Sequence, residues 1–179
     1  NLPYIIEIVN LASSPFVLTA NGELFSANDQ TFRLYDILQV CSTDLYALFL
    51  RRDGKVYVSG SCKNGRMGLG ADKTMCIIPT IIPDLENIRQ IATGKDKSLF
   101  LNKNGDVYAC GKGFRGYHLT YNCFKPYSYI YTPCKLLDHK HITKISKLGY
   151  LWTNPTSPTS HSCLEILPII DVTHMNDFY

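Results

Sequence analysis

A unit of about fifty residues recurs along the 179-residue chain, and this constrains the fold more than any other feature. Leu48-Phe-Leu-Arg-Arg-Asp-Gly54 leads into Lys55-Val-Tyr-Val-Ser-Gly60. Leu99-Phe-Leu-Asn-Lys-Asn-Gly105 leads into Asp106-Val-Tyr-Ala-Cys-Gly111, with Gly54 and Gly105 51 residues apart. An earlier copy, Phe16-Val-Leu-Thr-Ala-Asn-Gly22, continues into Glu23-Leu-Phe-Ser-Ala-Asn28, only 32 residues ahead of the second. Upstream of these lie Ile37-Leu-Gln-Val-Cys41 and Ile88-Arg-Gln-Ile-Ala92, and Ile142-Thr-Lys-Ile-Ser146 starts a fourth unit.

Each unit reads as a hairpin. Three apolar residues predict a buried strand, and Asn-Gly or Asp-Gly supplies the positive φ of a tight turn. The next strand alternates. Leu24 and Ser26, Val56 and Val58, Val107 and Ala109 fall on one face, and Phe25, Tyr57 and Tyr108 on the other. It ends at Gly60 and Gly111, and at Asn28 in the first unit, where asparagine is expected to replace glycine at positive φ. Pro79 and Pro133, nine residues before Ile88 and Ile142, fit an entry loop or an edge strand. No convincing helical period interrupts the pattern, so each unit is three or four short strands, the signature of a propeller blade.

The glycine-rich run Gly60-Ser-Cys-Lys-Asn-Gly65 invites a phosphate-loop reading, which its details exclude. No Gly-Lys-Ser/Thr follows, Gly65, Gly68 and Gly70 do not form G-x-G-x-x-G, and no helix is expected to aim amides at a phosphate. Turn and strand-end roles suit Gly22, Gly54, Gly60, Gly65, Gly68, Gly70, Gly105, Gly111 and Gly116 better. Ser42, Ser98, Ser160 and Ser162 lack a nucleophile-elbow context, and His161 sits in a Pro/Ser/Thr-rich loop. The expectation is therefore no enzyme, no catalytic residue and no cofactor.

The seven cysteines (41, 62, 76, 110, 123, 134 and 163) form no C-x-x-C pair, so reduced thiols in an intracellular protein are expected. Cys134, His139 and His141 lack a fourth metal ligand, and no metal is expected. No apolar run reaches the length of about 18 residues that spans a membrane.

Charge is unevenly placed. Residues 1–87 carry 7 Lys/Arg and 9 Asp/Glu (net −2), residues 88–150 carry 11 and 3 (net +8), and residues 151–179 carry none and 3 (net −3). The basic third also holds most of the tyrosines. Arg115, Tyr117, His118, Tyr121, Lys125, Tyr127, Tyr129 and Tyr131 interleave there, with Lys135 just beyond. Such a segment suits an acidic partner, or nucleic acid through phosphate contacts and stacking. Arg115, Tyr117, His118, Tyr121, Lys125, Tyr127 and Lys135 are the expected partner-binding residues.

Asp53-Gly54, Val56-Tyr57, Gly60, Asn64-Gly65, Met67-Gly68 and Gly70 together resemble the regulator-of-chromosome-condensation repeat. The third unit keeps Gly105, Gly111 and Gly116 at the same offsets but replaces Met67-Gly68-Leu69-Gly70 by His118-Leu-Thr-Tyr121. The resemblance covers residues 5–141 well and 142–179 poorly, where Asn154-Pro-Thr-Ser-Pro-Thr-Ser stands in place of a tight turn. It implies an all-β propeller, with units at about 5–36 (abbreviated), 37–87, 88–141 and 142–179 (degenerate) in a single propeller segment, 1–179. Three to four blades do not close the family's typical seven-bladed ring. The expectation is thus a partial ring or open arc, with the remaining blades from the same or another chain. The resemblance further implies a non-catalytic protein-interaction or scaffold module, with guanine-nucleotide exchange on a small GTPase and nucleic-acid binding through residues 88–150 as alternatives. The long basic loop favours an acidic surface or nucleic acid over exchange. The expected location is intracellular, cytoplasmic or nuclear, with organelles left open.

Overall fold

The computed structural model describes residues 4–11, 15–28, 32–112, 129–136, 142–146, 151–153 and 166–167. It is built almost wholly of short antiparallel strands. The first sheet is β1 (Ile5–Val9), β2 (Phe16–Thr19), β3 (Leu24–Ser26) and β4 (Arg33–Leu34), paired in chain order. The second is β5 (Ile37–Ser42), β6 (Tyr46–Arg51), β7 (Val56–Ser61) and β8 (Met75–Ile81), and the third is β9 (Ile88–Thr93), β10 (Lys97–Asn102), β11 (Val107–Gly111) and β12 (Ile130–Lys135). A three-stranded sheet follows, from β13 (Ile142–Ile145), β14 (Leu151–Thr153) and β15 (Ile166–Leu167). This is a partial β-propeller of four-stranded blades.

The apolar triplets form second strands buried on both faces, which is why they read as continuous hydrophobic runs. In β6, Ala47 and Phe49 pack towards the first sheet in a layer with Phe16, Leu18 and Leu24. Tyr46, Leu48 and Leu50 pack towards the third sheet in a layer with Ile91 and Phe100. One strand thus serves two cores. The rings of Phe16 and Phe49 meet edge-on with centroids 5.4 Å apart, a favoured aromatic geometry.

The alternation in β3, β7 and β11 is as expected: Leu24, Ser26, Val56, Val58, Val107 and Ala109 are buried, while Phe25, Tyr57 and Tyr108 are half-buried. Pro79 and Pro133 lie in β8 and β12, the outermost strands of their sheets, where a missing N–H costs least. Both ladders carry an irregularity beside them, between Val58 and Gly60 and between Ala109 and Gly111. Gly22, Gly54, Gly60, Gly65, Gly68, Gly70, Gly105 and Gly111 all have positive φ, and Gly116 lies outside the described residues. One expectation fails. The described non-glycine residues at positive φ are Asp36, Asn64, Asp84 and Asn87, and Asn28 is not among them. The first unit's strand ends at Ser26, so Asn28 is not asked to make the close contact that Gly60 and Gly111 make.

Neighbouring sheets are stitched by ties that recur with the repeat. The N–H of each unit's first isoleucine donates to the preceding turn glycine: Ile37 to Gly22 (2.9 Å), Ile88 to Gly54 (3.0 Å) and Ile142 to Gly105 (3.1 Å). Nearer the middle of β5, the Gln39 side-chain amide takes both backbone groups of Ile91, and Gln90 does the same to Ile145.

Candidate partner-binding site

The loop after β7 carries the glycine-rich stretch, and its function is packing. A single 3-10 turn, Lys63–Gly65, opens it. Gly65 abuts the backbone of Ile130 and Tyr131, and Gly68 abuts the Pro133 ring, so the loop of one blade seats on the outer strand of the next. The N–H of Gly70 donates to Tyr131 O at 2.9 Å.

Between Gly65 and Gly68 the loop sends Arg66 into the interface. Its guanidinium pairs with Asp96 (Nη2–Oδ1 3.0 Å), with the Arg66 side chain 4% and the Asp96 side chain 26% exposed. Nε donates to Lys63 O (2.7 Å) and Nη1 to Lys95 O (3.4 Å), and the group sits over the Tyr46 ring at 5.9 Å. The Arg66 carbonyl accepts from Ser98 Oγ (2.6 Å) and Cys110 Sγ (3.3 Å). Tyr46 Oη donates to Lys97 O (2.6 Å) and lies 3.0 Å from Ser98 Oγ. Burial raises the Tyr46 phenol and the Cys110 thiol well above their ordinary values. This network joins the second and third sheets; sequence reasoning passed over Arg66, Asp96 and Tyr46, and met Ser98 and Cys110 only as a rejected nucleophile and an ordinary thiol. A nucleophile or general base needs access and a displaceable proton near neutrality; Arg66, Tyr46, Ser98 and Cys110 are sealed, and the part-exposed Asp96 is held by Arg66.

Around the network stand Lys63, Lys95 and Lys112, all exposed. The first two supply the carbonyls bonded by Arg66, and the Lys112 N–H donates to Asp96 O (2.8 Å). Lys112 leads directly into residues 113–128, which hold Arg115, Tyr117, His118, Tyr121, Lys125 and Tyr127 and lie outside the described residues. Of the expected partner-binding residues, only Lys135 is described. It pairs with Asp106 (2.8 Å), which holds its ammonium above the usual lysine range, and it sits at the far end of β12 from Tyr129.

The thiol expectation holds at Cys41, Cys62, Cys76 and Cys110, none of which is in a disulfide. Cys134 departs from it: it is disulfide-bonded. Spacing alone did not expose this pairing because the fold, not the sequence interval, brings such cysteines together. His139 and His141 are outside the described residues, among which no group of three or more His, Cys, Asp or Glu could hold a metal ion. No helix among the described residues is long and apolar enough to cross a membrane.

The profile of the regulator of chromosome condensation (RCC1) repeat matches residues 88–116. The chain is 35% identical over 77 residues to the human Inhibitor of Bruton tyrosine kinase, covering 42% of this chain and 6% of that protein. It is 32% identical over 95 residues to Protein RCC1 of Candida albicans (49% and 20%), and 36% identical over 86 residues to the guanine nucleotide exchange factor SRM1 of Saccharomyces cerevisiae (44% and 17%). It therefore spans a fifth or less of the length of these relatives. Among solved structures, yeast RCC1 (Prp20) bound to Kap60 superposes with a TM-score of 0.64 at 18% identity, over 85% of this chain and 44% of that one. Human WBSCR16 superposes at 0.58 and 16% identity, over 83% and 47%. The repeat hairpins, the stacked four-stranded sheets and these likenesses agree: residues 88–116 carry an RCC1 repeat, and the chain has the fold of the RCC1-like repeat β-propellers.

Proposed function

We propose that the chain acts as a non-catalytic protein-interaction module whose partner is met at the loop-bearing end of the third sheet. The observation that carries this reading is the placement of Lys63, Lys95 and Lys112, exposed on an end fixed from beneath by the buried Arg66 and its partner Asp96. A rigid β scaffold presenting charged loops is a common arrangement for binding. Arg115, Tyr117, His118, Tyr121, Lys125 and Tyr127 follow Lys112 in sequence and are the proposed contacts, with an acidic protein surface as the partner and the cell interior as the location; Lys135, paired with Asp106 at the other end of β12, is left out of this set. A photo-crosslinking residue at Lys125 or Tyr127, used in cells, tests this. Adducts with protein support it, and adducts confined to nucleic acid overturn it.

Exchange activity is a second reading, favoured by the similarity to SRM1, which is named a guanine nucleotide exchange factor. Accelerated nucleotide release from a small GTPase mixed with the protein would establish it.

The first sheet supports a further element of the proposal, that additional blades complete the ring. Val40–Phe49–Tyr57 and Ile91–Phe100–Tyr108 form cross-strand rows packed against the preceding sheet. The equivalent row Ile8–Val17–Phe25 faces away from the second sheet, with Ile6 and Ile8 exposed at 58% and 65%.

A further inference from the structure

The basic end of the second and third sheets carries more than charge. Lys63, Lys73, Lys95 and Lys112 are exposed there against two exposed acids, Asp44 and Asp72. None of the four lysines has an ion-pair partner among the described residues, because the nearby Asp96 carboxylate is taken by Arg66 and by the Asn64 amide (3.3 Å). Leu45 is 46% exposed on the same rim, where its carbonyl accepts from the Ser61 N–H (2.9 Å), two residues before Lys63. The pairing of Gly111 with Ile130 sets the exposed Tyr129 beside Lys112.

We infer that this rim is a docking site for an acidic peptide segment with an apolar side chain between its carboxylates. The inference rests on the reading of the chain as an interaction module and names the chemistry of its partner. Spaced lysines pair with spaced carboxylates, and charge complementarity of this kind sets specificity and on-rate. The apolar side chain rests on Leu45 and the Tyr129 ring. A phosphate backbone fits less well. Its charges form an unbroken row that would pass Asp44, and Leu45 offers it nothing.

The test uses the full chain and a fluorescently labelled, glutamate-rich peptide with one central leucine, followed by anisotropy. The peptide binds, binding weakens as salt rises, and Lys63→Glu, Lys95→Glu and Lys112→Glu each weaken it by about tenfold. Leu45→Ser weakens it without changing the salt dependence. Lys103→Glu, in the hairpin turn at the opposite end of the sheet, leaves it unchanged. The proposal is overturned by no binding, by equal loss with Lys103→Glu, or by tighter binding of an oligothymidylate than of the peptide. Protein adducts at position 125 together with no peptide binding would sink this inference and leave the interaction reading standing; absence of both sinks the two together.

Discussion

The side-chain amide of Gln39 closes a two-bond ring on the backbone of Ile91: Nε2 donates to Ile91 O at 3.0 Å, and the Ile91 N–H donates to Oε1 at 3.0 Å. Fifty-one residues on, Gln90 repeats the ring on Ile145 at 2.8 and 3.0 Å. A carboxamide can do this because it offers a donor and an acceptor side by side. The inner strand of one sheet thereby caps the exposed edge of the next.

Gln39→Leu keeps the size of the side chain and strands both backbone groups of a buried residue. The expected loss is about 2–4 kcal/mol, from an unsatisfied donor and acceptor. Gln39→Glu loses the donor alone and costs less. Urea unfolding, read as a lower midpoint at unchanged slope, checks both.

Gly60 and Gly70 both have positive φ but sit in different surroundings. A Cβ at Gly60 would lie 2.5 Å from Leu45 O and 2.7 Å from Tyr46 Cα, whereas one at Gly70 meets nothing within 4 Å. Gly70→Ala should cost only the left-handed strain, about 1–2 kcal/mol. Gly60→Ala must also push two backbones apart and is expected to prevent stable folding. Thermal unfolding of the two variants separates clash from strain.

Asp96→Asn keeps the shape and removes the charge facing Arg66. Because Arg66 is sealed in the interface, the orphaned guanidinium is expected to cost about 3 kcal/mol or more. Arg66→Met, which removes the buried charge as well, is expected to be milder than Asp96→Asn. The reverse order in denaturant titrations would show that the pair is solvated.

Alkaline pH acts on the same interface. Burial pushes the Cys62 thiol up to about 11 and raises Cys110 and Tyr46 further. Their folded values exceed the unfolded ones, so the folded state holds protons that the unfolded chain releases. Stability is therefore full below about pH 9 and falls as pH rises through the thiol and phenol range. A pH series of unfolding midpoints shows the decline, and Cys62→Ala makes it shallower without moving its onset, which the Cys110 thiol also sets.

Much of this scaffold was legible because it is periodic. Turn glycines, buried triplets and alternating strands are set by neighbours in sequence, so the 51-residue spacing exposes them. Contacts between units are harder to read. Gln39 and Gln90 occupy the same repeat position, a signal that was available, although only the packed sheets reveal what a polar side chain there can reach. Arg66 and Asp96 have no such counterpart: the position 51 residues after Arg66 is Tyr117, so their pairing follows from how the glycine loop seats on the next blade. Lys135 shows the converse, since a basic residue in a basic segment is spent on Asp106.

The central claim is that the repeat builds one scaffold by clamping each sheet to the next, and residue-resolved amide exchange reads it at Ile91. In the native protein this N–H should exchange as slowly as the Leu99 and Phe100 ladder amides. In Gln39→Leu it should speed up while those ladder amides stay protected. Fast exchange at Ile91 in the native chain, or no change on removing Gln39, would contradict the account.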